Sequence, residues 1–229
     1  MADTSVLPDP ANDAEGVDFY QVSDIIETQK INLFIKRGFD FFVSFFSLLF
    51  LSVFFVIISI IIRLDSTGPA FYRQTRVGKD GKHFKIIKFR TMVVGADTIG
   101  RLITVGSDAR ITRAGKFLRD TKIDELPQII NVLKGDMSFV GPRPEVPKYV
   151  DLYSKSQRQI LLVRPGVTDF ASIKYSKESE LLALSDDPEK TYIEDVMPAK
   201  LKDNMQYLSN ISVVNDLRII FATLLKILK

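Results

Sequence analysis

Cysteine is absent from the 229 residues, and histidine occurs once, at His83. The first absence excludes disulfide scaffolds, thiolate zinc sites, iron–sulfur ligation and cysteine nucleophiles. The second excludes multi-histidine metal clusters and serine–histidine machinery with a spare base. Acid–base chemistry therefore falls to carboxylates, lysine or tyrosine. The length bounds the chain to one globular domain with modest appendages and rules out arrays and large multidomain enzymes. Acidic charge is unevenly spread. Seven of the 28 acids lie in residues 1–30 beside the single base Lys30, so that segment carries −6 and residues 31–229 carry +9 of the overall +3. The working part is basic, and its expected partner is anionic.

Residues 1–30, with acidic clusters, two early prolines and no sustained apolar period, read as a loosely ordered tail. Charge, proline and glycine are then all missing from Phe41 to Ile62, a run of 22 residues interrupted only by Ser44, Ser47, Ser52 and Ser59. At about 1.5 Å per helical residue this reaches across a hydrocarbon core of roughly 30 Å. It starts too far into the chain for a cleavable signal peptide, and a helix apolar on every side needs more surrounding protein than so small a chain offers. Membrane contact is the reading. Lys30, Lys36 and Arg37 precede the run, and Arg63 and the basic body follow it. Positive residues prefer the cytoplasmic side, so charge on both flanks points to a re-entrant hairpin bent near Ser47 to Val53, although nothing in the run breaks a helix.

Beyond the run, residues 70–76 and 83–90 are extended stretches rich in Phe, Tyr, Ile and Val around Asp80-Gly81, which predicts a β-hairpin. Residues 93–109, with Gly95, Gly100 and Gly106, suit a mobile surface loop. Short helices are expected at 113–120 and 124–134, the second capped by Asp124 and stopped by Gly135. Residues 210–229 are expected to form an amphipathic helix whose apolar side holds Ile211, Val214, Leu217, Ile220, Phe221, Leu224, Leu225 and Leu228, suited to core packing or to a membrane interface.

Three features could carry chemistry. Asp124 and Glu125 sit at an expected helix N-terminus, where the dipole keeps a carboxylate ionised and free N–H groups favour phosphate. Taken alone, such a pair is ordinary capping. Arg143 lies between Pro142 and Pro144, a stiff backbone that suits bidentate phosphate recognition by its planar fork, or equally a solvated turn. Lys88 and Arg90, with Lys85, alternate with Phe84, Ile86 and Phe89 and could present a basic face, or simply a solvated edge. A metal here would be an oxygen-ligated ion such as Mg²⁺, shared between the substrate and Glu125 or Asp136. No stacked-aromatic or recognition-helix layout suggests nucleic acid.

Taken in order, KRGFDF at Lys36, GPAFYRQTRVG at Gly68, FKIIKFRTM at Phe84, DARITRAGKFLR at Asp108, KIDELPQIINVLKGDMSFVGPRP at Lys122 and VRPGVT at Val163 resemble the bacterial sugar transferases, the monotopic phosphoglycosyl transferases that start glycan assembly on polyprenyl phosphate. The resemblance implies an α/β fold: a compact membrane-associated catalytic domain with an N-terminal re-entrant membrane helix and amphipathic interfacial helices. The implied division is a tail at 1–30, the re-entrant helix at 31–66 and the catalytic domain at 67–229, on the cytoplasmic face of the bacterial inner membrane. It also implies Mg²⁺, a UDP-sugar donor, a polyprenyl phosphate acceptor, UMP release and a role in exopolysaccharide or lipopolysaccharide biosynthesis. Asp124 would be the nucleophile, Glu125 a metal or acid–base partner with Asp124 also near the ion, Arg143 the phosphate holder, and Lys88 and Arg90 further phosphate contacts. The chain departs from the family pattern at Ser52-Val53, where Ser-Pro is common, and at DFASIKY after VRPGVT, where a run with Gly-Trp is common. Rival readings are a membrane-anchored scaffold without catalysis and a nucleotide-sugar hydrolase.

Overall fold

A computed structural model describes residues 19–96 and 108–227. Most of the expected loop 93–109, and residues 1–18 of the expected tail, lie outside that range. Residues from Phe19 depart from the tail expectation, because they form helix α1 (Phe19–Thr28). Val22, Ile25 and Ile26 recur at helical spacing, and Val22 and Ile26 pack with Tyr207, Leu208 and Ile211. Gln29 then ties the junction, donating to the Leu208 and Ser209 carbonyls and accepting from the Ile211 amide.

Helix α2 (Lys30–Asp65) runs for 36 residues without a break. The bend expected near Ser47 to Val53 is not there. No proline or glycine removes a backbone bond in the apolar run, and the serine hydroxyls fold back onto intact helix, Ser52 onto the Leu49 carbonyl at 2.9 Å and Ser59 onto that of Phe55 at 2.6 Å. Its buried residues Lys36, Asp40, Ser44, Phe55 and Ile62 fall on one stripe, with Leu48, Leu51 and Ile58 partly buried along it. The rest of the circumference is bare: Phe34, Phe42, Phe46, Leu49, Phe50, Val53 and Leu64 are each more than 60% exposed. Only 11% of its most apolar stretch is buried, so within this chain it is not a core helix.

Both ends of α2 hold the same body. Lys36 pairs with Asp216 inside the protein, Arg37 donates to the carbonyls of Val132 and Leu133 at 2.7 and 2.9 Å, and Asp40 accepts from the Phe139 amide at 3.2 Å. At the other end Ile62 is gripped through its carbonyl by Arg90 at 3.2 Å, and the Asp65 carboxylate accepts from the Ala114 amide at 3.0 Å.

The body is mixed helix and sheet. Strands β1 (Phe71–Val77) and β2 (His83–Phe89) form the expected antiparallel hairpin, turning at Asp80 and Gly81 with φ of +56° and +73°. Helix α3 (Arg113–Asp120) follows, capped by the Thr112 hydroxyl. The helix expected at 124–134 is shorter. A single 3₁₀ turn (Ile123–Glu125) precedes α4 (Gln128–Lys134), whose cap position is taken by Pro127, so Asp124 lies in the 3₁₀ turn and does not cap α4. Gly135, at φ +90°, ends α4 as expected. Strand β3 (Ser138–Val140) pairs in parallel with β4 (Gly166–Thr168), across α5 (Pro147–Val150). After a 3₁₀ segment (Gln157–Leu162) and β4 come helices α6 (Phe170–Lys174), α7 (Glu178–Ala183), α8 (Pro188–Thr191), which runs through a π-helical turn (Tyr192–Val196) into α9 (Met197–Leu208), and α10 (Val213–Ile227). Among the described residues the strands form two two-stranded sheets, so helices dominate the α/β domain.

Helix α10 buries Asp216 and Ile219. It leaves Val214, Phe221, Leu224 and Leu225 at least half exposed, while Ile211 and Ile220 of the same expected apolar side pack with Val22, Val140 and Tyr207, so that side divides between the core and the surface. With α2, this gives the body two exposed apolar helical surfaces.

Candidate active site

The site grows from the segment Lys122–Leu126. Lys122 adopts left-handed backbone, φ +58°, and starts the 3₁₀ turn. Ile123 and Leu126 lie three apart and pack with Phe55, Ile62, Phe89 and Leu118, under α2. The two acids between them are thereby placed on a short, rigid turn beside the apolar helix. Asp124 is 8% exposed, and among the described residues no hydrogen bond ends on its carboxylate.

Asn131 of α4 locks the neighbouring strand: it accepts from the Ile87 amide at 3.0 Å and donates to the Lys85 carbonyl at 2.8 Å. This brings Lys88 of β2 to Glu125, Nζ to Oε1 at 2.9 Å. Arg143 arrives from the loop after β3 and reaches the same oxygen at 2.6 Å, while its other terminal nitrogen donates to the Val167 carbonyl at 3.1 Å. Gly141 and Gly166 let the two strand ends cross, since a Cβ on Gly141 would lie 2.6 Å from the Arg164 carbonyl oxygen. The structure thus gathers Asp124, Glu125, Lys88 and Arg143.

Arg90 is not part of that cluster. It is 4% exposed, and its fork is spent on the carbonyls of Ile62, Ser66 and Thr67 and on the Ser66 hydroxyl, at 2.6 to 3.2 Å. It closes the C-terminus of α2, whose last carbonyls need donors. Lys85 is likewise elsewhere, on Thr75 at 2.6 Å, so the strand presents no single basic face. Asp136 accepts from Asn131 at 3.3 Å rather than joining the cluster, and His83 is exposed at the start of β2. Gly68 makes room for the Arg90 fork: at φ +121°, an added Cβ would sit 2.1 Å from a guanidinium nitrogen. Gly68→Ala is therefore expected to lower the unfolding midpoint of the detergent-solubilised protein by several degrees, measured by thermal denaturation; an unchanged midpoint would remove Arg90 from the helix-closing role.

Sequence reasoning missed Arg119. It sits on α3 next to buried Leu118, donates to the Thr91 hydroxyl at 2.8 Å and adds positive potential at Asp124. The helical period was the available signal, since Gly115, whose Cβ would strike the Thr91 carbonyl, and Leu118 mark the face against which Arg119 lies.

The two acids are tuned apart. Burial raises the Asp124 pKa above the usual carboxylate value, only partly offset by Lys88, Arg119 and Lys122, and Glu125 beside it pushes the same way. For Glu125 burial acts upward too, but the Arg143 and Lys88 charges outweigh it and hold the carboxyl well below the ordinary range. Arg143 is in turn held charged: burial opposes its charge, and Glu125 prevails. A carboxylate kept ionised is a poor proton donor, so Glu125 suits a charge-holding or metal-binding role better than an acid–base one.

No group of three or more His, Asp or Glu gathers among the described residues. A Mg²⁺ ion typically takes one or two carboxylates and fills its shell with water and substrate phosphate. The donor set here fits that pattern: both hydrogen bonds to Glu125 fall on Oε1, and Asp124 is adjacent.

A partly buried cluster of Lys88 and Arg143 around Glu125, with Asp124 adjacent, lies beside a bare apolar helix, an arrangement chemically suited to an anion such as a phosphate. The bacterial sugar transferase family model matches residues 31–229. The chain is 35% identical over 201 residues to a UDP-N-acetylgalactosamine-undecaprenyl-phosphate N-acetylgalactosaminephosphotransferase of Aeromonas hydrophila, covering 86% of this chain and 44% of that protein. It is 39% identical over 201 residues to the exopolysaccharide production protein PSS of Rhizobium leguminosarum bv. phaseoli, covering 84% and 94%. A UDP-glucose:undecaprenyl-phosphate glucose-1-phosphate transferase of Escherichia coli K12 is 35% identical, covering 86% and 40%. The chain belongs to the bacterial sugar transferase family. It spans less than half the length of two of these relatives and nearly all of the third.

Proposed function

We propose that this protein transfers a sugar-1-phosphate from a UDP-sugar to polyprenyl phosphate through a covalent intermediate on Asp124. The carrying observation is the contrast within the acidic pair: Asp124 is buried, unbonded among the described residues and made more basic, while Glu125 is tied to Lys88 and Arg143. A buried, basic carboxylate is a better nucleophile than a solvated one. In the first step an Asp124 oxygen bonds to the β-phosphorus of the donor. The bond from that phosphorus to the bridging oxygen breaks, and UMP leaves with the electron pair. In the second, an oxygen of polyprenyl phosphate bonds to the same phosphorus and the Asp124–phosphorus bond breaks, restoring the carboxylate. Neither step needs a proton from Glu125. Arg143 and Lys88 neutralise the phosphoryl oxygens, and Glu125 orients both cations. Glu125, with Asp124, would hold Mg²⁺, which when bound supplies charge neutralisation of the diphosphate.

The covalent route suits substrates of unlike solubility, since the aqueous donor can leave before the lipid acceptor binds. UMP release, followed with and without polyprenyl phosphate, tests the reading. A single-turnover burst without acceptor and continuous release with it is expected. Continuous release without acceptor would establish a hydrolase, and no release a scaffold.

The protonated Asp124 cannot attack, so activity falls as pH drops through its pKa, which lies above the ordinary aspartate value. The acid limb of kcat/KM should fall at correspondingly high pH, and Lys88→Gln, by removing a cation that favours the carboxylate, should move it higher still. A limb at the ordinary position in both proteins would count against a buried nucleophile.

The protein is proposed to sit in one leaflet on the cytoplasmic face, with both flanks of α2 on the same side. What supports this is that Lys36 and Arg37 at one end, and Ile62 and Asp65 at the other, bind the same body. A spanning helix would part those contacts by a hydrocarbon core of roughly 30 Å. The uninterrupted helix then lies along the body with its bare side in lipid, alongside the exposed face of α10. Single cysteines at Ser23 and Thr67 should show the same labelling by an impermeant thiol reagent in intact cells. Labelling of one alone would establish a spanning helix.

A further inference from the structure

We propose that Asp169 and Asn204 are positioning residues that hold the Arg143 backbone so that its fork meets the donor's phosphate; this rests on the reading of Arg143 given above. In the Pro142-Arg143-Pro144 segment the only backbone N–H is that of Arg143, because proline has none. That N–H donates to Asp169 Oδ2 at 3.2 Å. The same oxygen accepts from Asn204 Nδ2 at 2.7 Å, and Oδ1 accepts from the Ser172 amide at 2.6 Å, capping α6. Asp169 and Asn204 are 2% and 4% exposed, and both line one cavity with Pro142 and Arg143. Neither touches Glu125 or Asp124 by any hydrogen bond among the described residues.

Capping a five-residue helix requires one acceptor oxygen. The second is spent on the arginine loop, and a residue from a distant helix, α9, is spent on holding that oxygen in place. The Asp169 charge also favours the charged Arg143. Asp169 opens DFASIKY, the run that departs from the family pattern, so the departure falls on the backbone support of the phosphate-holding arginine.

A carboxylate serves all three donors, whereas the amide of Asp169→Asn must turn its NH₂ towards one of them. With Asp169→Asn and, as a gentler change, Asn204→Ala, kcat/KM for the UDP-sugar should fall about tenfold, carried mainly by KM. The decisive readout is the double-variant cycle. If both residues act through Arg143, then in an Arg143→Lys protein, itself impaired, adding Asp169→Asn or Asn204→Ala should cost less than about twofold more. Should Asp169→Asn fail to fold, the Asn204→Ala cycle carries the test alone. Multiplicative losses would show a general structural role and overturn the proposal, as would parent kinetics in both single variants beside an impaired Arg143→Lys. Parent kinetics in Arg143→Lys would instead remove the phosphate-holding reading of Arg143, and this proposal with it.

Discussion

Purified Asp124→Asn is expected to lose turnover by several orders of magnitude while staying in the membrane fraction with an unfolding midpoint no lower than the parent's. The amide has nearly the shape of the carboxylate but is a far weaker nucleophile, and the covalent route has no substitute for the lost oxygen. The neighbouring acid cannot stand in, because Glu125 accepts from Lys88 and Arg143 at 2.9 and 2.6 Å and those charges lower its basicity. Folding should tolerate the change, since among the described residues Asp124 accepts no hydrogen bond that the amide would disrupt. Neutralising a buried carboxylate whose pKa is raised by burial removes a desolvation cost as well. Activity within tenfold of the parent would contradict the nucleophile assignment.

Glu125→Gln should cost roughly 10²-fold or more in kcat/KM, through loss of electrostatic preorganisation rather than loss of a reacting atom. The single oxygen Oε1 holds two cations that come from separate parts of the fold, the β1–β2 hairpin and the loop after β3. Without its charge Lys88 and Arg143 face each other across a partly buried gap, and like-charge repulsion moves at least one of them away. Donor KM should rise and kcat fall together, because the same cations bind the ground-state diphosphate and stabilise the transferring phosphoryl group. Glu125→Asp, which keeps the charge on a shorter arm, should recover part of the loss. Equal activity of the Gln and Asp variants, measured by UMP release, would remove the charge-holding role.

The helical segments and the hairpin were legible where local chemistry decides: Thr112 before α3, Gly135 after α4, Asp80-Gly81 between the strands. The acidic pair and Arg143 were legible as words, but their union was not, since 18 residues separate Glu125 from Arg143 and only the β3–β4 crossing closes the distance. Arg90 misled for a physical reason. A strand-end arginine reads the same in sequence whether its fork faces substrate or the open carbonyls of a helix that ended 25 residues earlier. Residues 19–30 misled through their charge, because a tail and a surface helix can share an acidic composition, and only the spacing of Val22, Ile25 and Ile26 separates them. The bend in α2 was expected from charge on both flanks. The charge pattern constrains which side the ends occupy, whereas the backbone between them follows its own composition, and without proline or glycine it stays helical. Asp169 could not have been read at all, since its partners at Arg143 and Asn204 lie 26 and 35 residues away.

The most direct test of a covalent phosphosugar on Asp124 is the mass of the protein after incubation with a UDP-sugar in the absence of polyprenyl phosphate. The intact mass should rise by one sugar phosphate, map to the peptide containing Asp124, and return to its starting value when polyprenyl phosphate is added. UMP release with no adduct at Asp124, or with an adduct that the acceptor does not discharge, would contradict it.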